Sequence, residues 1–291
     1  MKVTRLKPLV SAWLLALAGE AATQLPAMAA GQEYEILHSY ETSDQESDGS
    51  SGSSSGHTTI AERVLAVRDG GVELEYDFPK GTKAEERGPE WRLPARVFKP
   101  ANGPPQLLNR AELEARADQW LKKAKWPRSK CGSWYFTWNA FRVECDPQSI
   151  IKTIDEYDLG PPLRNGAPFQ MAGARGPGTV LRKTVGPDGG GFYVLLEVDP
   201  DAVRRASAES DVVVGELMQK PVTLEAALRE RSKETISGTI AITFDTDAAG
   251  KPWRQIRVTK LETKRPDGVT ETKRSTATLE KRLVSGLAKR R

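Results

Sequence analysis

The sequence Val72-Glu-Leu-Glu-Tyr-Asp-Phe78 alternates apolar and charged residues without interruption. Successive side chains of a β-strand point to opposite faces, so this alternation predicts a strand with its four apolar residues on one buried face. Asp69-Gly70-Gly71 precedes it as a tight turn, and Thr59–Val67 predicts the strand before that turn. The two segments together predict an antiparallel hairpin.

Further strands flank this hairpin. Upstream, Tyr34–Tyr40 predicts a strand that leads into Thr42–Gly56, a Ser/Gly/Asp tract without an apolar residue. Such a composition predicts a flexible loop. Downstream, Trp91–Val97 repeats the alternation, and Pro94 places that strand at an edge or a bulge because proline lacks a backbone N–H.

Two helices are predicted next. Asn109 followed by Glu112 forms a capping-box pattern, and the helix it starts ends before Pro127. Its predicted buried stripe is Leu113, Ala117, Trp120, Leu121 and Ala124. Asp146-Pro147 supplies an N-cap and a first-turn proline for a second helix. The inward residues of that helix are Ile150, Ile151, Ile154 and Tyr157.

The C-terminal part of the chain predicts a mixture of strands and helices. Phe192–Val198 predicts a strand, Pro200–Ala208 a short helix, and Val212–Met218 an apolar strand. Thr223 caps a further helix that continues to about Lys233. A meander of three strands follows at residues 236–245, 253–262 and 269–283. The predicted fold class is α+β, mostly antiparallel β-sheet with hairpins and a C-terminal meander, and a few packed helices.

The organisation predicted from these elements has five parts. They are a cleaved signal peptide (1–29), a β-rich subdomain with two helices and a disulfide hairpin (30–160), a Gly/Pro-rich connection (161–190), a C-terminal α+β subdomain ending in the meander (191–284) and a basic tail (285–291). The connection is placed where hydrophobic periodicity fades and glycine and proline accumulate.

The first 29 residues have the order of an export signal. Lys2, Arg5 and Lys7 precede the apolar run Leu9–Leu17, and small residues end at Ala27-Met28-Ala29. The apolar run is too short to cross a bilayer, and no later segment is long enough. The sequence therefore predicts an exported protein, periplasmic in a Gram-negative cell or otherwise secreted, with no transmembrane segment after cleavage.

Both cysteines lie in the predicted exported part. Because such compartments are oxidising, Cys131 and Cys145 are expected to form a disulfide. The two histidines, His38 and His57, offer too few ligands for a transition-metal site. No metal and no cofactor is predicted.

The charge distribution indicates which classes of binding partner to expect. A formal net charge of +4 argues against a dedicated nucleic-acid binder. Residues 31–56 carry acids and no Lys or Arg, whereas residues 251–291 are strongly basic. The basic segment is interpreted either as a surface attracted to an anionic envelope component or as Lys and Arg protecting edge strands beside the acidic N-terminal hairpin.

Aromatic residues concentrate between Trp120 and Phe141. At this density they either fill a core around the disulfide or line a groove for an amphiphilic ligand. Core packing is the favoured interpretation. The candidate ligand-binding residues are Trp120, Trp126, Trp134, Phe136 and Trp138.

Three short motifs resemble parts of functional sites. Gly52-Ser-Ser-Ser-Gly56 fits G-x-S-x-G, but no apolar strand precedes it directly and no helix follows. Asp44-x-Glu46-x-Asp48-Gly49 resembles the start of a calcium loop, yet Ser55 stands where a bidentate Glu is required. Ser149-Ile-Ile-Lys152 fits S-x-x-K at a predicted helix start, where a lysine of depressed pKa could activate the serine.

The hairpins, the capped helix after a Pro/Gly turn and the Thr/Lys-rich meander together resemble curved-sheet, lipoprotein-carrier-like domains of the bacterial periplasm. The resemblance is architectural, and it implies enclosure of a hydrophobic ligand without assigning any residue. The leading hypothesis is a non-catalytic binding or envelope-assembly protein of unknown ligand. The alternatives are a hydrolase or acyl transferase using Ser149 and Lys152, and a purely structural envelope protein.

Overall fold

The computed structural model describes residues 28–88, 90–136, 140–183, 190–247 and 249–285. The signal peptide lies outside this part of the chain except for Met28 and Ala29, and Trp138 and residues 286–291 lie outside it too. Strands and helices are numbered separately in chain order.

The strands are β1 (Glu33–Glu46), β2 (Ser51–Arg68), β3 (Gly71–Asp77), β4 (Ala95–Pro100), β5 (Gln106–Leu107), β6 (Trp134–Phe136), β7 (Ala140–Arg142), β8 (Pro168–Phe169), β9 (Gly178–Thr179), β10 (Leu181–Lys183), β11 (Gly190–Glu197), β12 (Thr235–Thr246), β13 (Pro252–Lys264) and β14 (Thr270–Ser285). The helices are α1 (Ala84–Arg87), α2 (Arg110–Ala124), α3 (Ser149–Glu156), α4 (Pro200–Leu217) and α5 (Leu224–Arg231). A single 3₁₀ turn spans Arg128–Lys130.

Ten of these strands form one antiparallel sheet in the order β10-β11-β12-β13-β14-β1-β2-β3-β4-β5. The last strand, β14, pairs with the first, β1, so the two ends of the described chain meet in the middle of the sheet. Two small two-stranded sheets, β6-β7 and β8-β9, are not hydrogen-bonded into it. The predicted fold class is therefore confirmed. The sheet contains strands from both predicted subdomains, whose division stays a prediction.

The apolar residues of the sheet concentrate on one face, here called the inner face. On β3 they are Val72, Leu74 and Tyr76, as the alternation predicts, and helices α2 and α3 cover them. A second cluster forms where Phe192, Val194 and Leu196 on β11 stand opposite Phe244, Ile242 and Ile240 on β12. The chain from Leu163 to Val180, together with Val203 of α4, packs against this second cluster.

The helix α2 matches its prediction except at its two ends. Leu113, Ala117 and Leu121 are buried, whereas Ala124 is exposed. Asn109 does not cap the helix. Its side-chain oxygen accepts from the Arg96 N–H at 2.9 Å and its amide donates to the Pro94 carbonyl at 3.1 Å. This buried asparagine instead ties the helix start to strand β4, which satisfies its polar groups where water is excluded.

The predicted loop at Thr42–Gly56 is wrong. Most of this tract is paired, because β1 runs to Glu46 and β2 begins at Ser51, leaving only a short turn between them. Hydrogen bonds to β14 on the other side of β1 hold the tract in the sheet. The Tyr40 ring lies where a Cβ on Gly56 would be only 2.7 Å away, so the glycine leaves room for the aromatic ring. Composition predicted flexibility, and neighbouring strands override it.

The predicted strand at Val212–Met218 is also wrong. Helix α4 continues from Pro200 through Leu217, with the Asp199 side chain capping its first turn. The three consecutive valines favour a strand locally, but the helix is held by its packing. Arg231 of α5 donates two hydrogen bonds of 2.7 Å to the Asp211 carboxylate of α4. Helix α5 begins after Thr223, whose hydroxyl accepts from the Ala226 N–H as predicted.

The uneven charge of the sequence is largely compensated within the sheet. The acidic strand β1 lies beside the basic strand β14, with Asp44 opposite Lys273. At the tips of the two hairpins, the Arg265 guanidinium is 2.5 Å from the Glu46 carboxylate. Strands β13 and β14 are interior strands, so the interpretation of their Lys and Arg as edge protection is wrong, while the expected position beside the acidic hairpin is found for β14.

The disulfide between Cys131 and Cys145 is formed, as predicted. It closes the hairpin β6-β7, which has only three residues in each strand. A hairpin this short is marginal by itself, so the crosslink and the aromatic residues around it supply the stability that backbone pairing does not.

Candidate functional site

A cavity of about 390 Å³ lies between the inner face of the sheet and the chain that follows α3. It is placed at the junction of the two predicted subdomains, with β2, β3 and β14 behind it and the turn between β12 and β13 at its side. Its volume falls within the range of small-molecule sites, about 300–1,000 Å³. The lining residues are Met28, Glu62, Val72, Leu74, Tyr76, Lys99, Ala101, Ile154, Tyr157, Asp158, Leu159, Gly160, Pro161, Pro162, Lys251, Pro252 and Lys281.

Most of the cavity wall is apolar. Val72 and Leu74 reach it from β3 because alternate residues of that strand share the inner face. Ile154 enters from the last turn of α3, and the Leu159–Pro162 segment closes the opposite side. An apolar wall with a few polar groups is the usual composition of a ligand pocket.

A buried ion pair lies on the sheet side of the cavity. The Lys281 ammonium of β14 is 2.5 Å from the Glu62 carboxylate of β2, and their side chains are only 17% and 3% exposed. The same ammonium lies 4.8 Å from the centre of the Tyr34 ring, within the range of a cation–π interaction. Each charge is thus offset by a partner, as burial requires.

Tyr76 stands next to this pair. Burial, together with the negative charge of Glu62, raises the pKa of the Tyr76 phenol well above its ordinary value. The phenol therefore stays neutral at physiological pH and presents an uncharged surface to the cavity.

Two further lysines border the cavity, and they differ in their partners. Lys99 forms an ion pair with Asp158. Burial opposes ionisation of Asp158, but the hydrogen bond and charge of Lys99, the Gly160 N–H and the charge of Lys281 together lower the pKa of that carboxyl. Lys251, by contrast, has no carboxylate within 4 Å among the residues that the structure describes. Burial, and then the positive charge of Lys281, lower the pKa of the Lys251 ammonium.

The segment that closes the cavity is tied to the turn carrying Lys251. The Leu163 N–H donates to the Gly250 carbonyl at 3.0 Å. Gly250 has a φ of +80°, and a Cβ there would lie 3.0 Å from the Leu163 carbonyl oxygen. Only glycine combines this left-handed conformation with so close an approach. This contact sets the position of Lys251 relative to the Leu159–Pro162 wall.

The aromatic residues predicted as a ligand site pack mainly against one another. Trp126 stacks on Tyr135 at 5.2 Å between ring centres and meets Trp120 edge to face at 5.7 Å. These rings surround the buried Leu121 and Val143 beside the disulfide. The favoured interpretation, core packing, describes this arrangement.

The remaining predicted residues of that cluster are placed differently. Trp134 is half-buried on β6, Phe136 is 67% exposed, and Trp138 lies outside the described residues. None of the four described candidates lines the cavity. A ligand-binding role for the cluster stays a prediction, and the cavity is the better candidate site.

Ser149 and Lys152 stand three residues apart in the first turn of α3. The Ser149 hydroxyl donates to the Asp146 carbonyl at 2.7 Å, which is a helix-start interaction. Lys152 is exposed to solvent, whereas a lysine that activates a serine needs burial to depress its pKa. Neither residue lines the cavity, and catalysis by this pair stays a prediction.

The other two motifs have structural roles. The Gly52–Gly56 segment lies on strand β2 rather than at a strand-to-helix turn. Asp48 and Gly49 form the turn between β1 and β2, where the Asp48 carboxylate accepts from the Ser50 N–H at 2.9 Å. In the described part of the chain, no group of three or more His, Cys, Asp or Glu side chains is arranged to hold a metal ion.

Sequence reasoning missed the charged residues of the cavity. Glu62 occupies an inward position of β2 between Ile60 and Val64, at a place in the alternation where an apolar residue is expected. A charge in that phase is a usable signal of a buried polar site. Lys251 and Lys281 carry no comparable signal, because they come near Glu62 only when β14 pairs with β1.

Helices in the described ranges are all too short or too polar to cross a membrane. No protein-family model matches the chain, and comparison with curated proteins finds no match. Among solved structures, a lipovitellin structure concerned with lipid–protein interactions covers 90% of this chain at 9% identity and a TM-score of 0.38. The similarity spans 26% of the lipovitellin chain, about a quarter of its length.

A structure of Ail, the attachment invasion locus protein of Yersinia pestis, is also similar. The matched region covers 87% of this chain and 99% of the Ail chain, at 5% identity and a TM-score of 0.19. Scores this low support no conclusion about function.

Proposed function

We propose that this protein is an exported, non-catalytic binding protein that takes an amphiphilic ligand into the cavity, with the acidic head group of the ligand at Lys251. The observation that carries the proposal is the combination of a largely apolar wall with a half-buried ammonium that has no carboxylate partner among the described residues. Burying an unpaired charge costs free energy, and an anionic group placed beside it removes that cost.

The arrangement of charges favours an anion over a cation or a neutral head group. Lys281 and Lys99 are each paired with a carboxylate, so the carboxylates of the cavity are already engaged. Lys251 is the remaining charged group, and the nearby Lys281 adds to the positive potential. The apolar walls formed by β3, α3 and the Leu159–Pro162 segment would hold the hydrocarbon part of the ligand.

The test is native mass spectrometry of the protein purified from its own exported fraction, followed by organic extraction of whatever it releases. We expect a stoichiometric amphiphile with an acidic group. Its occupancy should fall in Lys251→Met and stay unchanged in Lys152→Met, a matched control on the exposed side of α3. A ligand-free protein, or a neutral ligand insensitive to Lys251→Met, would contradict the proposal.

A further inference from the structure

Strand β2 extends well beyond the strand that pairs with it on one side. Strand β1 pairs with β2 from Ser51 to Arg63, whereas β3 pairs with it only from Ala61 onward. In the part of the chain that the structure describes, no strand lies beside residues 51–59 on the side away from β1. This segment is here called the free edge.

The odd-numbered residues of the free edge direct their backbone groups away from β1. The Val64 N–H donates to the Gln32 carbonyl at 2.9 Å. At the other end, the Glu46 N–H donates to the Ser50 carbonyl at 2.8 Å. Even-numbered residues of β2 therefore face β1, and the pairing between these two contacts runs without a bulge. Because backbone groups alternate in direction along a strand, the outward-pointing residues are Ser51, Ser53, Ser55, His57 and Thr59.

The two ends of the sheet are protected against further pairing, and the free edge is not. Strand β10 is short and ends in Arg182 and Lys183, and β5 has only two residues, preceded by Pro104-Pro105. Short strands, basic side chains and prolines are the usual means by which proteins keep an edge from pairing. The free edge has no Lys, Arg, Asp, Glu or Pro, and it is mostly exposed. A neutral edge about 30 Å long is thus open to an added strand.

We propose that the free edge pairs antiparallel with the free edge of a second copy of this chain, about a two-fold axis at Ser55. A second copy fits because this one register pairs every outward-pointing residue, and each pair exchanges two backbone hydrogen bonds. Ser55 stands opposite its own copy, Ser53 opposite His57 and Ser51 opposite Thr59. These side chains are neutral and mostly small, so no like charges meet across the axis. Because β1 occupies the other side of β2, the pairing closes at two copies.

The test is sedimentation velocity of the mature protein over a range of concentrations. We expect a weak dimer that dissociates on dilution, because an interface of one strand pair is smaller than the standard interface of about 1,600 Å². Ser55→Pro removes an outward N–H and leaves the ladder with β1 intact, so it should raise the dissociation constant roughly tenfold or more. The matched control Ser55→Thr keeps that N–H and should dimerise as the wild type does. Circular dichroism verifies that both variants are folded.

Cysteine crosslinking tests the register. Opposite Cα atoms of a hydrogen-bonded antiparallel pair are about 5.5 Å apart, within reach of a disulfide. Ser55→Cys should therefore give a covalent dimer on mild oxidation, whereas Ser53→Cys, which faces His57 of the other copy, should not.

Three results would overturn the inference. They are a monomer at every concentration, a dimer whose affinity is unchanged in Ser55→Pro, and equal crosslinking of the two cysteine variants. No residue of the free edge lines the cavity, so these outcomes are separate from the test of ligand binding.

Discussion

At the scale of single residues, the proposed ligand binding depends most on Lys251. Replacing it with methionine keeps the length of the side chain and removes the charge. Hydrogen bonds to charged groups contribute about 1.5–3 kcal/mol, so we expect Lys251→Met to weaken binding of decanesulfonate, a permanently anionic amphiphile, roughly tenfold to a hundredfold. Binding of decanol, which has the same chain and no charge, should change little. Calorimetry of both ligands checks this, and an equal loss for the two would contradict a head-group role.

The pH dependence of that binding has a defined sign. The Lys251 ammonium attracts an anion while it is protonated, and burial lowers its pKa from the ordinary value of 10.5. Affinity for decanesulfonate should therefore be fully present at low pH and decline as the pH rises, beginning below 10.5. Because the sulfonate itself does not titrate in this range, the decline reports on the protein. A flat profile in the wild type would contradict the assignment.

The ion pair of Glu62 and Lys281 makes a separate prediction about stability. Glu62→Gln leaves the Lys281 ammonium nearly buried without its carboxylate, and breaking such a pair costs about 3 kcal/mol. The double variant Glu62→Gln/Lys281→Met removes both charges and should regain most of the loss. Denaturant unfolding measures both variants. If the double variant is as unstable as the single one, the loss does not come from an unpaired charge.

At the scale of elements, the disulfide hairpin and the cavity are predicted to be independent. Replacing Cys131 and Cys145 with serine removes a crosslink worth about 3 kcal/mol for a loop of this length. We expect lower stability in denaturant unfolding but unchanged decanesulfonate affinity, because no residue of β6 or β7 lines the cavity. A large loss of affinity in a variant that remains folded would indicate that the aromatic cluster takes part in binding.

Elements with a clear hydrophobic period could be predicted from the sequence. Elements whose structure depends on pairing or packing with distant parts of the chain could not. The strand predicted from the alternation of Val72–Phe78 and the meander from residue 235 onward are both present in the structure. Their apolar residues recur at the spacing that buries one face of a sheet. The Ser51–Gly56 strand carries no such pattern. It is held by backbone pairing with β1, which is in turn paired with a strand more than 200 residues away.

The Val212–Leu217 part of α4 could not be predicted either, because its local sequence favours a strand and the structure there is a helix. Its valines indicate a strand, but contacts between α4 and α5, among them the ion pair of Arg231 with Asp211, are tertiary interactions that the local sequence does not show. For the candidate site, the sequence located neither the cavity nor its lysines, since the site forms where β2, β14 and the β12–β13 turn converge. Only the misplaced charge of Glu62 could have indicated it.

At the scale of the whole molecule, the position of β14 predicts cooperative unfolding. The strand pairs with β13 on one side and with β1 on the other, so it joins the two predicted subdomains within one sheet. We expect tryptophan fluorescence and far-ultraviolet circular dichroism to report one coincident unfolding transition. Two separated transitions would show that residues 30–160 and 191–284 are independent subdomains.

In the proposed function the cavity, and not the aromatic cluster, binds the ligand. Photocrosslinking of the mature protein with a diazirine-bearing fatty acid, followed by peptide mapping, tests it most directly. We expect the adducts to concentrate at the cavity wall, around Ile154 and the Leu159–Pro162 segment, and to disappear when unlabelled fatty acid competes. Competable adducts at Trp120, Trp126, Trp134 or Phe136 instead would contradict it.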